Sequence, residues 1–148
     1  MNRKELEKYI EEAYGIFPEY PWQNTPTAAV FRQKGSKKWM AIVMEVAAAK
    51  LGRKQGGKLD IVNLKGDPLF LLTLRSEQGC FPAYHMNKEH WISVALDGTA
   101  NETLLKMLVE ESFRQTLPSP LKEKGKTSSP KKKGTLNGKG KKGKEKAR

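Results

Sequence analysis

Apolar positions recur with two different periods along the first 117 residues, and the periods mark out the elements. Leu6, Tyr9, Ile10 and Ala13 stand at i, i+3, i+4 and i+7, which predicts a helix with one stripe turned to a core. Asn2 is placed to cap that helix, Glu5 completes a capping box, and Gly15 suits its end. Between Phe17 and Pro26 three prolines suppress helix and central strand alike, so Phe17, Tyr20 and Trp22 belong to a loop covering a core edge. Ala28 to Arg32 and Lys38 to Val46 read as strands joined by a turn at Gly35-Ser36, a hairpin. A looser connection, Ala47 to Gly57, leads into a third strand, Lys58 to Leu64, with Leu59, Ile61 and Asn63 on one face.

Asp67-Pro68 opens a second helix, aspartate as cap and proline in the first turn. Leu69 to Leu72 and Leu74 make it almost wholly apolar, which predicts burial on most sides, with Gly79 at its end. Pro82 to Met86 and Trp91 to Leu96 read as extended pieces separated by one turn, Asn87 to His90. A last helix begins with a capping box at Thr99 to Glu102, buries Leu105, Leu108, Val109 and Phe113, and stops at Pro118. The order is helix, three strands, helix, two strands, helix. Consecutive hairpins favour an antiparallel sheet with helices on one face, an α+β two-layer sandwich.

Charge divides the chain in two. From Pro118 to Arg148 there are 12 basic and two acidic residues, a net of +10 out of +12 for the chain. That leaves a nearly neutral domain, 1–117, and a Lys-rich tail, 118–148. The tail has only Leu121 and Leu136 as large apolar side chains, too little burial to offset chain entropy, so it is expected to be disordered. No apolar run approaches the ~18 residues of a membrane span. The first residues lack the apolar core of a signal peptide, so the expected location is the cytoplasm, nucleoid association included. One cysteine, Cys80, excludes an internal disulfide and a cysteine-based zinc site.

Pro82-Ala-Tyr-His85-Met86-Asn87-Lys88-Glu89-His90-Trp91 resembles the MmcQ/YjbR family of bacterial proteins. Asn63-Leu64-Lys65 with Asp67-Pro68, the strand Lys38 to Met44, Leu96-Asp97-Gly98 and Ser112-Phe113 add to the resemblance, which spans roughly residues 1 to 117. Gly66, where the family pattern expects cysteine, and Phe113, where it expects tyrosine, depart from it. The resemblance implies a CyaY-like fold and a DNA-binding role. It carries over no base-reading residues, only the cluster His85, Asn87, Lys88, His90 and Trp91.

The tail is the strongest physical argument for nucleic acid. Its cations, Lys131, Lys132, Lys133, Lys139, Lys141 and Lys142 among them, neutralise phosphates and release counterions without reading sequence. Two hairpin connections are basic at their tips, Lys34, Lys37 and Lys38 in the first, Arg53, Lys54 and Lys58 in the second. Such tips resemble the wings that DNA-binding folds rest on phosphates, but they sit at opposite ends of one strand, roughly 30 Å apart at ~3.3 Å per residue. The bland alternative is that Lys and Gly populate exposed turns and discourage edge pairing.

His85 and His90 lack a third ligand nearby in sequence, so both are read as structural histidines and no metal is assigned. Nothing beside Cys80 lowers its pKa, and Asp60, Asp67 and Asp97 suit turns and caps better than acid catalysis. Trp22, Trp39 and Trp91 are candidate base-stacking platforms for single strands, and of these Trp39 and Trp91, which open apolar strands, are read as core. Lys65 and Lys88 are the domain cations best placed for an acidic ligand, weighed against surface ion pairs with Asp67 or Glu89. The expectation is a non-catalytic DNA-binding protein with no cofactor and no membrane partner, its affinity coming mainly from the tail, with the hairpin tips and Lys88 positioning the domain. Two alternatives stand beside it: RNA or the ribosome as partner, and a protein- or small-ligand-binding module centred on Lys65, His85, Asn87, Lys88 and His90.

Overall fold

The computed structural model describes residues 1–118 and contains three helices and a five-stranded sheet. Helix α1 (Arg3–Tyr14) is capped as its sequence requires. Asn2 accepts from the Glu5 N–H, Glu5 returns to the Asn2 N–H at 2.9 Å, and Gly15 closes the helix in the left-handed region. Leu6 and Ile10 are buried and Tyr9 half-buried, but Ala13 faces solvent; Ile16, just past the helix, supplies the next core contact instead.

Strands β1 (Ala29–Arg32), β2 (Trp39–Ala47), β3 (Lys58–Lys65), β4 (Cys80–Pro82) and β5 (Trp91–Ala95) pair in the order β1-β2-β3-β5-β4, every pair antiparallel. The segment read as extended from Pro82 to Met86 keeps only its first residue in a strand, because β4 ends where the chain must turn over the sheet. Alternation along the strands sorts side chains into two sets. Ala29, Phe31, Ala41, Val43, Val62, Leu64, Ile92 and Val94 face the helices and form one core with Leu6, Ile10, Leu105 and Leu108. Ile61 and Asn63 share a face as the alternation predicts, yet it is the face away from the helices, paired with Met44 and Ile42.

The two other helices lie on the same side of the sheet as α1. Helix α2 (Pro68–Leu74) starts on Asp67, whose carboxylate accepts from the N–H groups of Leu69 and Phe70. It buries Leu71 and Leu74 only; Leu69 and Leu72 are 74% and 58% exposed, so the expectation of burial on most sides is corrected. Seven residues make barely two turns, and one side of a short helix suffices to roof a sheet edge. The helix also ends at Leu74 rather than near Gly79. Gly79 instead takes φ +82° where a Cβ would stand 2.8 Å from the Ala100 backbone. Helix α3 (Glu102–Gln115) is capped by Asn101, not Thr99, which is held by Asp97 in the preceding turn. Its buried Ser112 hydroxyl donates to the Met40 carbonyl of β2 and accepts the Lys65 N–H of β3 at 3.0 Å, fixing helix to sheet.

The face of the sheet away from the helices is not open to solvent. Trp91, Val30, Ile42 and Ala83 form a second, smaller core there, packed against Trp22, Trp39, Met44 and Met86. Its cover is irregular chain: the proline-rich segment 17–27 and the loop 83–90. Trp91 is buried as expected, and Trp39 is only partly so, edge-on to Trp22 at 5.8 Å. Among the described residues no helix is long and apolar enough to cross a membrane.

Candidate functional site

Two residues interior to the sheet set the geometry of the loop 83–90. Asn63 on β3 and Ser93 on β5 are fully buried and face one another across the ladder, the Ser93 hydroxyl donating to Asn63 Oδ1. Asn63 Nδ2 then donates to the Tyr84 carbonyl at 3.2 Å, and the Tyr84 N–H donates to Ser93 Oγ at 2.9 Å. Both backbone polar groups of one loop residue are thus held by a buried polar pair, which leaves none of the four groups unsatisfied. The following residue, His85, takes φ +62°, a left-handed conformation unusual for a side chain of this size. Its ring lies against Tyr84 with centroids 4.0 Å apart.

The rest of the loop folds on itself. Lys88 Nζ donates to the Ala83 carbonyl at 2.9 Å, and Arg75, beyond the end of α2, donates to the Lys88 carbonyl. Asn87 Oδ1 accepts from Glu89 N at 2.8 Å and His90 N at 3.2 Å, the single turn predicted for Asn87 to His90. The His90 carbonyl accepts the Gly66 N–H at 2.9 Å. The residues of the proposed ligand cluster therefore have separate duties. Asn87 organises a turn, His90 is exposed, and Lys65 lies 6.0 Å from the Trp91 ring centre. Of the five, His85 and Lys88 border the two cavities on this face of the sheet. The ammonium of Lys88 turns to the Ala83 carbonyl rather than to its neighbour Glu89, and Asp67 is occupied as a helix cap.

Two adjoining cavities lie on this face of the sheet, sharing Tyr84 and His85 as a common rib. The larger, about 540 Å³, is bordered by Trp22, Asn24, Met44, Glu45 and Lys58. The smaller, about 390 Å³, is bordered by Lys50, Leu51, Phe81 and Lys88. Sequence pattern does not single out Tyr84 for this, nor the Asn63–Ser93 pair. The signal for that pair is an asparagine in the middle of an apolar strand, a position costly to fill without a partner.

The basic hairpin tips behave differently from one another. In the first, residues 33–38, Lys34 and Lys37 are exposed, with Lys37 at φ +69°. This tip is bound to the end of α3: Gln33 Nε2 donates to the Phe113 carbonyl at 3.1 Å, and Ser36 Oγ to the Thr116 carbonyl at 2.6 Å. In the second, Ala48–Leu51 forms one 3-10 turn, and Lys54 and Lys58 are exposed. Arg53 does not stand out as a wing cation. It donates to Asp97 at 2.7 Å and to Thr99 at 3.3 Å, and its guanidinium lies 5.3 Å from the Phe81 ring centre. Asp97 sits partly buried, which works against its ionisation, but the hydrogen bonds from Thr99 and Arg53 outweigh that and hold its carboxyl below the usual value. The tail cations Lys131, Lys132, Lys133, Lys139, Lys141 and Lys142 lie outside the described residues.

Cys80 faces the helix-side core, and burial with the nearby Glu77 charge pushes its thiol up to about 11. Among the described residues no three His, Cys, Asp or Glu side chains gather as metal ligands.

A family model, YjbR, matches residues 12–115, most of the chain and all of the sheet. The chain belongs to the YjbR family. It is 40% identical over 116 residues to YyaQ of Bacillus subtilis, an alignment covering 78% of this chain and 98% of that protein. About a fifth of this YjbR chain therefore has no counterpart in YyaQ. YbdF of Escherichia coli O157:H7 is 43% identical over 53 residues, 35% of this chain and 43% of its own. A crystal structure of a Pseudomonas syringae protein superposes with a TM-score of 0.76 at 39% identity, covering 79% of this chain and 100% of that one. A Deinococcus radiodurans protein at 23% identity, TM-score 0.59, covering 84% of this chain and 88% of its own, shares the fold. The two positions that depart from the YjbR pattern lie away from the cavities. Gly66 is buried, a Cβ there 2.8 Å from the Leu71 side chain, and the Phe113 ring rests 4.6 Å from that of Tyr14.

Proposed function

We propose that this YjbR protein is a non-catalytic DNA-binding protein whose affinity comes from the phosphate backbone rather than from base sequence. The observation that carries it is where the Lys-rich segment begins. The last turn of α3 is hydrogen-bonded to the first hairpin, and a Cβ on Gly35 would stand 2.7 Å from the Pro118 ring. The net +10 segment thus starts at Pro118, beside Gly35 in the tip that carries Lys34 and Lys37. The second tip, at the far end of β2, lies away from that origin and has Arg53 committed to Asp97. In this reading the first tip orients the domain on the duplex, and Lys54 and Lys58 contribute little.

The test is fluorescence anisotropy of the full chain with duplex DNA over a salt series. Lys131, Lys132, Lys133, Lys139, Lys141 and Lys142 are replaced by Gln in one variant, Lys34→Gln with Lys37→Asn in a second. Removing one phosphate-binding cation should flatten the log–log salt slope by about 0.9, so the slope falls by up to about five in the tail variant and up to about two in the tip variant. Asparagine suits the left-handed backbone at position 37, so the second variant keeps the turn. Unchanged slopes in both variants, or affinity independent of salt, would overturn the proposal. Duplex RNA bound more tightly than DNA at one salt concentration would move the reading to RNA.

A further inference from the structure

The paired cavities over the sheet are not bordered by the first basic tip, and they have the features of a small-molecule site. Their combined space falls within the ~300–1,000 Å³ usual for such sites. Their walls divide by chemistry. The larger is bordered by the apolar Met44 and Trp22 and the Tyr84–His85 ring pair, together with the polar residues Asn24, Thr25, Glu45 and Lys58. The smaller has no acidic residue on its border and two lysines, Lys50 and Lys88. Beyond its Phe81 wall lies the Arg53 guanidinium.

These lysines are not spent on neighbouring acids. No ion pair among the described residues engages Lys50, Lys58 or Lys88, and Lys88 uses one of its three N–H donors on the Ala83 carbonyl. The rib between the cavities is held open at a conformational cost. His85 sits at φ +62°, and the buried Asn63–Ser93 pair pins Tyr84 immediately before it. Strain of this kind persists where the surrounding structure fixes it.

We propose that the cleft binds a nucleotide unit. The base lies in the larger cavity against Trp22 and the Tyr84–His85 pair, its N–H donors toward Asn24. Its phosphate lies across the rib with Lys50 and Lys88, and Lys58 stands at the rim. Lys50 and Lys88 decide the orientation, since the smaller cavity has these two cations and no acid on its border. Stacking on aromatic faces tolerates any base.

The proposal does not depend on the tail's role, and one experiment separates the two. The ¹⁵N-labelled full chain is titrated at fixed ionic strength with each 5′-nucleoside monophosphate, the matching nucleosides, a dinucleotide and inorganic phosphate. Saturable shifts are expected at the amides of 22–28, 44–45, 50–51 and 81–88. The nucleotide should bind about tenfold more tightly than its nucleoside, the increment of one charge-assisted contact. Lys50→Glu, at an exposed position, should erase that difference without moving the melting temperature, and Tyr84→Ala should weaken nucleoside and nucleotide alike. A dinucleotide tighter than the monophosphate identifies a strand end as the source; the reverse identifies the free nucleotide. Shifts confined to residues 122–146, equal affinity for nucleoside and nucleotide, or inorganic phosphate matching the nucleotide would each overturn the proposal. The six-lysine tail variant is the control: it lowers DNA affinity if the backbone reading holds and leaves the cleft titration unchanged.

Discussion

Asp97 joins two parts of the molecule through one carboxylate. One oxygen accepts from the Thr99 hydroxyl at 2.7 Å and the Thr99 N–H at 3.1 Å, shaping the turn before α3; the other accepts from Arg53, fastening the connection after β2. Its folded pKa is lowered, so its contribution is fully present above the ordinary carboxylate value and fades as pH falls through the folded one. Asp97→Asn should therefore cost about 1 kcal/mol at pH 7, discounted for partial exposure. That gap should close below about pH 4. Urea unfolding of both proteins at pH 7 and pH 3 checks the sign; a gap that widens in acid refutes it. A turn or cap duty for Asp97 is legible from its neighbours, and it holds. Its pairing with Arg53, 44 residues away, is a contact between loops that no local pattern encodes. That contact gives Arg53 an acidic partner from a distant segment.

At the scale of elements, the buried Asn63–Ser93 pair decides how strand and loop meet. On a helix-covered face, two polar side chains would need partners from apolar helices. On the other face they find them in the Tyr84 backbone. Asn63→Ala strands the Ser93 hydroxyl and the Tyr84 carbonyl inside the structure, and should cost about 2–3 kcal/mol. Hydrogen exchange adds a local readout: Tyr84 N–H and its neighbours to Lys88 should lose protection well beyond the global change. Uniform loss across the sheet would mean that Asn63 supports only the core. Helix α1 and the strand ladder were legible in the sequence because caps and alternation are local. Helix α2 was legible as a helix, with its Asp67-Pro68 start, but not in its environment. Leu69 and Leu72 lie outside because the element is too short to be wrapped, and composition does not report what lies next to it.

For the molecule as a whole, charge is unevenly spread along the chain. Residues 118–148 carry +10 of the net +12, six of their lysines falling between 131 and 142. Replacing those six with Gln should leave the urea midpoint of the full chain within about 0.5 kcal/mol of the parent while it lowers DNA affinity. A large loss of stability would show that the tail packs on the domain. The amino-acid sequence by itself determined the order of elements, the α+β class, the caps that start α1 and α2, and the segregation of charge. Each follows from interactions among residues a few positions apart, or from composition. Only the tertiary structure decided which sheet face the helices cover, that Arg53 and Lys88 are engaged, and that the first hairpin meets the end of α3. It alone assembles Trp22, Tyr84, His85 and Lys50 around one cleft. Those facts depend on contacts between distant segments, whose energies are set by burial and hydrogen bonding in three dimensions rather than by spacing along the chain.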